Sequence, residues 1–147
     1  MEGELSLGLT IRKLNNAIRR DIEKENAKNN ISAKGVHGWA IKYFYDNKDK
    51  DIFQRDFEEK FSIRRSTATQ ILKLMEKNGL IIRKSVKSDA RLKKIILTDK
   101  AVDILKIIDE DIKKREKRMK NNISKENLDI FFDVCDTIIK NLEGKND

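Results

Sequence analysis

Apolar residues at Leu7, Ile11, Leu14, Ile18 and Ile22 recur in steps of three and four, the spacing of one face of an α-helix. The pattern predicts a first helix from about Leu5 to Lys28, broken by the polar run "NAKNNIS". Ser32 can cap a second helix with Val36, Trp39, Ala40, Tyr43 and Phe44 on its face, and "DNKDKD" ends it as a turn. Ile52 and Phe53 read as a very short extended piece, after which Phe57 and Phe61 place a brief amphipathic helix on "QRDFEEKF". In the next segment, "SIRRSTATQILKLMEKNGLI", the expected inward stripe is Ile71, Leu74 and Met75, with Thr67 a candidate addition. Arg65, Ser66, Thr69, Gln70 and Lys73 are left for the other side. Gly79 can adopt the left-handed conformation that closes this helix, with Leu80 packing back on its last turn.

The run "LIIRKSVKSDARLKKIILT" has β-branched residues at both ends and a charged middle, which predicts a hairpin of Leu80 to Val86 and Leu92 to Leu97 around a "KSDAR" tip. Thr98 or Asp99 can cap a long helix bearing Ala101, Leu105, Ile108, Ile112 and Met119. Ile104 and Ile107 widen its apolar face, as burial on two sides would require. Ser124 and Asn127 frame a last helix with Leu128, Phe131, Phe132, Cys135, Ile138, Ile139 and Leu142, and "EGKND" is a frayed tail. The fold class expected is mainly α with one small β-hairpin.

Composition sharpens this picture. The 147 residues are 39% charged and 38% apolar with no proline, which suits a helix-rich soluble protein of one folding unit. No stretch has the length of a membrane span, and "MEGELSLGLT" lacks the basic start of a secretory signal, so the expected location is the cytoplasm. One cysteine, Cys135, and one histidine, His37, leave little for a disulfide, a metal site or a nucleophilic triad; no cofactor and no enzymatic activity are expected. Glu58 and Glu59 are adjacent carboxylates that diverge on a helix, without a nucleophile or a phosphate-cradling loop beside them.

Charge is concentrated. Residues 60 to 94 carry eleven basic and two acidic side chains, a surplus of nine in a chain whose total is +8. The rest of the chain is therefore slightly acidic, and the basicity belongs to one segment, as a polyanion partner would require. Arg64 and Arg65 stand where a helix begins, a place that favours acidic residues because its unpaired N–H groups carry partial positive charge. A phosphate from outside would reverse the sign of that interaction.

A short helix, a tight turn, a second helix with hydroxyls and arginines at its start, and then a basic hairpin make a winged helix-turn-helix. The second helix of such a unit can enter a major groove while the hairpin reaches the flanking minor groove. The run "RRSTATQILKLMEKNGLIIRKSVKSDARLKKIILT" resembles the signature of the MarR family of bacterial transcription regulators. The likeness lies in the hydroxyl-rich helix start, in Leu74 or Met75 before Gly79, Leu80 and Ile81, and in the wing pattern of Asp89 and Arg91 followed by Leu97 and Thr98. The specific motif covers about residues 54 to 98, and the element order matches over nearly the whole chain.

The resemblance implies a homodimeric, sequence-specific regulator, expected to be a repressor on a palindromic operator in double-stranded DNA. The winged unit would span 33–98, and helices over 5–30 and 99–143 would interlock two protomers within a single domain spanning 1–147. Arg91 would enter the minor groove with Asp89 helping to hold it, and Gln54, Ser66, Thr67, Thr69 and Gln70 match positions near backbone or bases. Arg64, Arg65, Lys73, Lys87 and Ser88 complete the expected DNA contacts. The paired arginine departs from the family, whose members often have a capping Asp or Ser there.

Other readings stand beside these. Ser66 can cap its helix instead of touching DNA. Cations in "KKREKRMK" suit the C-terminal end of a long helix, and Cys135 on an apolar stripe behaves as a small hydrophobe. His37, Trp39 and Tyr43 fit core packing, yet could line a site for a small aromatic or amphipathic effector of the kind the family binds. The rival function is a helical interaction module that docks an acidic partner protein through its basic face.

Overall fold

The structure, a computed structural model, describes residues 5–31 and 37–144. Its elements run in the order α1 (Leu7–Lys28), α2 (Gly38–Asp46), α3 (Gln54–Phe61), α4 (Arg65–Lys77), β1 (Ile81–Val86), β2 (Asp89–Leu97), α5 (Asp99–Lys120) and α6 (Lys125–Glu143). Two compact units are separable, the first ending at Asp111 and the second beginning at Ile112. Mainly helical architecture with a single antiparallel hairpin is thus the observed fold class.

In the first unit the core is built from Ala40, Ile41 and Phe44 of α2, Phe57 of α3, Ala68, Leu72 and Met75 of α4, and Leu80, Ile81 and Ile95 around the hairpin, joined by Ala101, Leu105 and Ile108 of α5. An aromatic group ties α2 to α3. Trp39 stacks on Phe57 with ring centroids 5.7 Å apart and meets the edge of Phe61 at 4.4 Å, while Tyr43 contacts Phe61 at 5.4 Å. The Lys42 ammonium lies 3.4 Å from both Asp46 and Asp109, which links α2 to α5.

Caps set the helix limits. Ser6 accepts from the Leu9 amide, so α1 starts two residues later than the apolar pattern suggested. Asp56 accepts from the Phe53 amide at 2.8 Å and opens α3. At the end of α4, Gly79 has φ +72°, Leu80 N–H donates to Met75 and Gly79 N–H to Glu76, the paired closure expected of a left-handed residue there. The Thr98 hydroxyl accepts from the Ala101 amide and donates to the Gly79 carbonyl at 2.6 Å, which makes Thr98 the cap of α5 and fastens it to the end of α4.

Several expectations are corrected. The buried stripe of α4 is Ala68, Leu72 and Met75; Thr67 faces solvent, Ile71 is half-buried and Leu74 is 38% exposed. The buried face is thus displaced by about one residue from the one its bulkier apolar side chains suggested, with the small Ala68 fully buried. In α2 the largest fully buried side chain is Ile41, and Trp39 lies at the edge of the core, 40% exposed. Ser32 and Val36 lie outside the described residues. Ile52 and Phe53 form no strand, but the Ile52 carbonyl accepts from the Ile95 amide at 2.7 Å and so adds one bond to the edge of β2.

The second unit is α6 with the end of α5. Ser124 caps α6 by accepting from the Asn127 amide, and Gly144 closes it at φ +68°. No residue of α6 is buried: Ile130, Phe131, Phe132, Val134, Ile139 and Leu142 are all exposed, and Cys135 is half-buried. Among the described residues no helix is long and apolar enough to cross a membrane.

Candidate nucleic-acid interface

Ser62, in left-handed conformation at φ 51°, ends α3 and turns the chain into α4 within three residues. Arg64 occupies the cap position with ψ 154°, and its side chain makes no capping bond. Ser66 is therefore inside the first turn and not the cap. That turn holds no acidic residue, while Arg64, Arg65, Ser66 and Thr67 are all exposed. Its leading N–H groups and partial positive charge suit an anion, and backbone N–H groups at helix starts bind phosphate by these same two means.

Burial of Ala68, Leu72 and Met75 leaves Arg65, Ser66, Gln70 and Lys73 in solvent along the opposite side of α4, with Thr69 at the boundary. Gln54, the first residue of α3, reaches across to this helix. Its Nε2 donates to Thr69 Oγ1 at 2.9 Å and lies 3.4 Å from the Arg65 carbonyl, while Arg83 on β1 donates to its Oε1 at 3.5 Å. Arg83 also approaches Glu76 on α4, at 3.9 Å, with its side chain only 23% exposed. Sequence reasoning counted Arg83 as one of many basic residues and missed this placement, because its partners are distant along the chain.

The hairpin is tighter at its tip than the five-residue loop expected. Lys87 and Ser88 alone form the turn, and Asp89, Ala90 and Arg91 belong to β2. Val86 pairs with Asp89 but Ser85 pairs with Lys93, so Ala90, Arg91 and Leu92 bulge out of the ladder. A bulge re-aims the side chains it carries. Arg91 sits in this one, exposed, with its backbone amide donating to Asp89 Oδ1 at 2.9 Å. Lys87, Ser88 and Asp89 are exposed beside it.

His37, Trp39 and Tyr43 lie together on α2 and its leading edge. His37 meets the edge of Trp39 at 5.7 Å, and burial holds its imidazole below the usual range. Burial also raises the Tyr43 phenol, helped by the charges of Asp56 and Glu59.

Comparison with known proteins places this arrangement. The profile described as MarR family matches residues 34–92. The chain is similar to the transcription regulator MarR from Oenococcus oeni PSU-1, with 30% sequence identity over 92% of this chain and 99% of that one, at a TM-score of 0.78. MepR from S. aureus, solved as a DNA complex, shares the fold at a TM-score of 0.78 with 17% identity, over 95% and 99% of the two chains. The heme sensor protein PefR from Streptococcus agalactiae, solved with heme, is 26% identical over 96% and 95%, at a TM-score of 0.63. No curated protein matches the chain.

Proposed function

The chain belongs to the MarR family of transcription regulators, and from that premise we propose that it is a homodimeric, cytoplasmic repressor that reads a palindromic operator in duplex DNA. One observation carries this reading: α4 starts with two arginines, no acid and no side-chain cap, and turns a row of hydroxyl, amide and cationic side chains to solvent. Arg64, Arg65 and Lys73 neutralise phosphates, Ser66, Thr67, Thr69 and Gln70 meet base edges or backbone, and the wing carries Arg91 into the minor groove with Lys87 and Ser88 beside it.

A second copy of the chain covers the apolar rows that each unit leaves exposed, Leu7, Ile11 and Leu14 on α1 and Phe131, Phe132 and Ile139 on α6. Two α4 helices then meet successive major grooves. A small aromatic or amphipathic effector at His37, Trp39 and Tyr43 releases the operator, since Trp39 rests directly on Phe57 and Phe61 of α3, the helix that carries Gln54.

Selection of bound duplexes from a random pool, followed by footprinting, tests the reading. The expected result is protection of two half-sites about one helical turn apart, with affinity falling steeply as salt rises. No retained duplex in dilute buffer overturns it, and a protein that instead captures only acidic polypeptides belongs to the rival class. For the effector, thermal shift with small aromatic compounds should find ligands that both stabilise the protein and release DNA.

A further inference from the structure

The contacts around Gln54 leave one orientation for its side-chain amide. A guanidinium has donors only, so the atom facing Arg83 Nη1 at 3.5 Å is the amide oxygen. A carbonyl accepts only, so the atom 3.4 Å from the Arg65 carbonyl is the amide nitrogen. Both constraints agree, and they turn the NH2 group onto Thr69 Oγ1, 2.9 Å away. A hydroxyl that accepts in this way keeps its proton for another partner, and among the described residues no acceptor takes that proton.

We propose that Arg83, acting through Gln54, fixes Thr69 as a hydrogen-bond donor, so that α4 selects an acceptor on a base edge at the one position Thr69 meets. In the major groove a donor is matched by purine N7, guanine O6 or thymine O4, and is mismatched by cytosine, which offers an N4 donor. The inference rests on the DNA-reading function above and assigns part of its specificity. Arg83 is a positioning residue. Its guanidinium is held from two sides, with Nη1 donating to Gln54 Oε1 at 3.5 Å and Nε lying 3.9 Å from the Glu76 carboxylate of α4. Three elements thereby converge on one hydroxyl: β1 through Arg83, α3 through Gln54 and α4 through Thr69.

The test is a base-preference profile, obtained by selection from duplexes randomised within a half-site, for the full-length protein and four variants. Wild type should disfavour cytosine at one position per half-site by about three- to tenfold, the value of one hydrogen bond. In Gln54→Glu the carboxylate accepts from Thr69 and turns its lone pairs outward, so cytosine should become acceptable at that position even though overall affinity drops. Thr69→Val should erase the preference there, and adding Gln54→Glu to it should lower affinity uniformly without altering the profile. Arg83→Met removes the stronger, charged one of the two contacts that orient the amide, leaving the Arg65 carbonyl alone at 3.4 Å, and should weaken discrimination at the same position. A Gln54→Glu profile identical in shape to wild type overturns the assignment, as does an Arg83→Met profile with full discrimination. A wild type that binds no duplex overturns the DNA-reading premise instead.

Discussion

Asp89 holds the main chain of Arg91: its Oδ1 accepts from the Arg91 amide at 2.9 Å, at the bulge where β2 leaves its pairing with β1. The carboxylate fastens the backbone of Arg91 and leaves its guanidinium exposed. Asp89→Asn keeps an acceptor and removes a negative charge near DNA, so it should bind an operator at least as tightly as wild type. Asp89→Ala loses the fastening and should bind several-fold more weakly than Asp89→Asn; fluorescence anisotropy on one operator compares them. Equal affinity of the two would mean that the bond does not order the wing.

Arg65 and Arg91 should each contribute one phosphate or groove contact. Arg65→Ala and Arg91→Ala should each reduce the slope of log affinity against log salt by about 1, with the dimer intact by sedimentation.

The free protein bears a cost for Arg65. At the start of α4, where no acid stands, Arg65→Glu should stabilise the DNA-free protein by about 0.3 to 1 kcal/mol. The same change should abolish operator binding. Denaturant melts paired with a binding assay would show opposite signs for the two properties.

Leu72 and Leu74 separate the buried and exposed faces of α4. Leu72 is fully buried, and its truncation to Ala should cost about 2 to 5 kcal/mol in chemical denaturation. Leu74→Ala, at a residue left 38% exposed, should cost far less. A larger loss at Leu74 would restore the stripe expected from hydrophobicity.

His37 supplies a pH dependence with a definite sign. Burial lowers its pKa from the ordinary 6.5, so the unfolded chain takes up its proton first as pH falls. Stability should be full above about pH 6.5 and decline below it, until the folded form is protonated as well. The chain has one histidine, so His37→Gln should flatten this part of the stability profile, measured by melts between pH 5 and pH 8, about the span in which histidine titrates.

Local order was legible wherever a short stretch carries its own physics. Gly79 announced the end of α4 because a positive φ there suits a residue without Cβ, and Thr98 announced α5 because its hydroxyl caps the third helical amide. The hairpin followed from β-branched residues flanking polar ones, but its bulge did not, because register depends on how two strands meet and not on either alone. The same limit hid the orientation of α4: Ile71 and Leu74 outweigh Ala68 in hydrophobicity, yet Ala68 is the residue that is fully buried.

From residue types and spacing came the order of elements, the concentration of positive charge and the paired arginines where α4 begins, since helix periodicity and net charge are short-range or additive properties; that no side chain caps this helix is seen only in the folded chain. The triad of Arg83, Gln54 and Thr69 could come only from the folded chain, because its bonds join residues 15 and 29 positions apart. Hydrogen-bond polarity is a property of atoms in contact, and those contacts exist once α3, α4 and β1 have packed on their shared core.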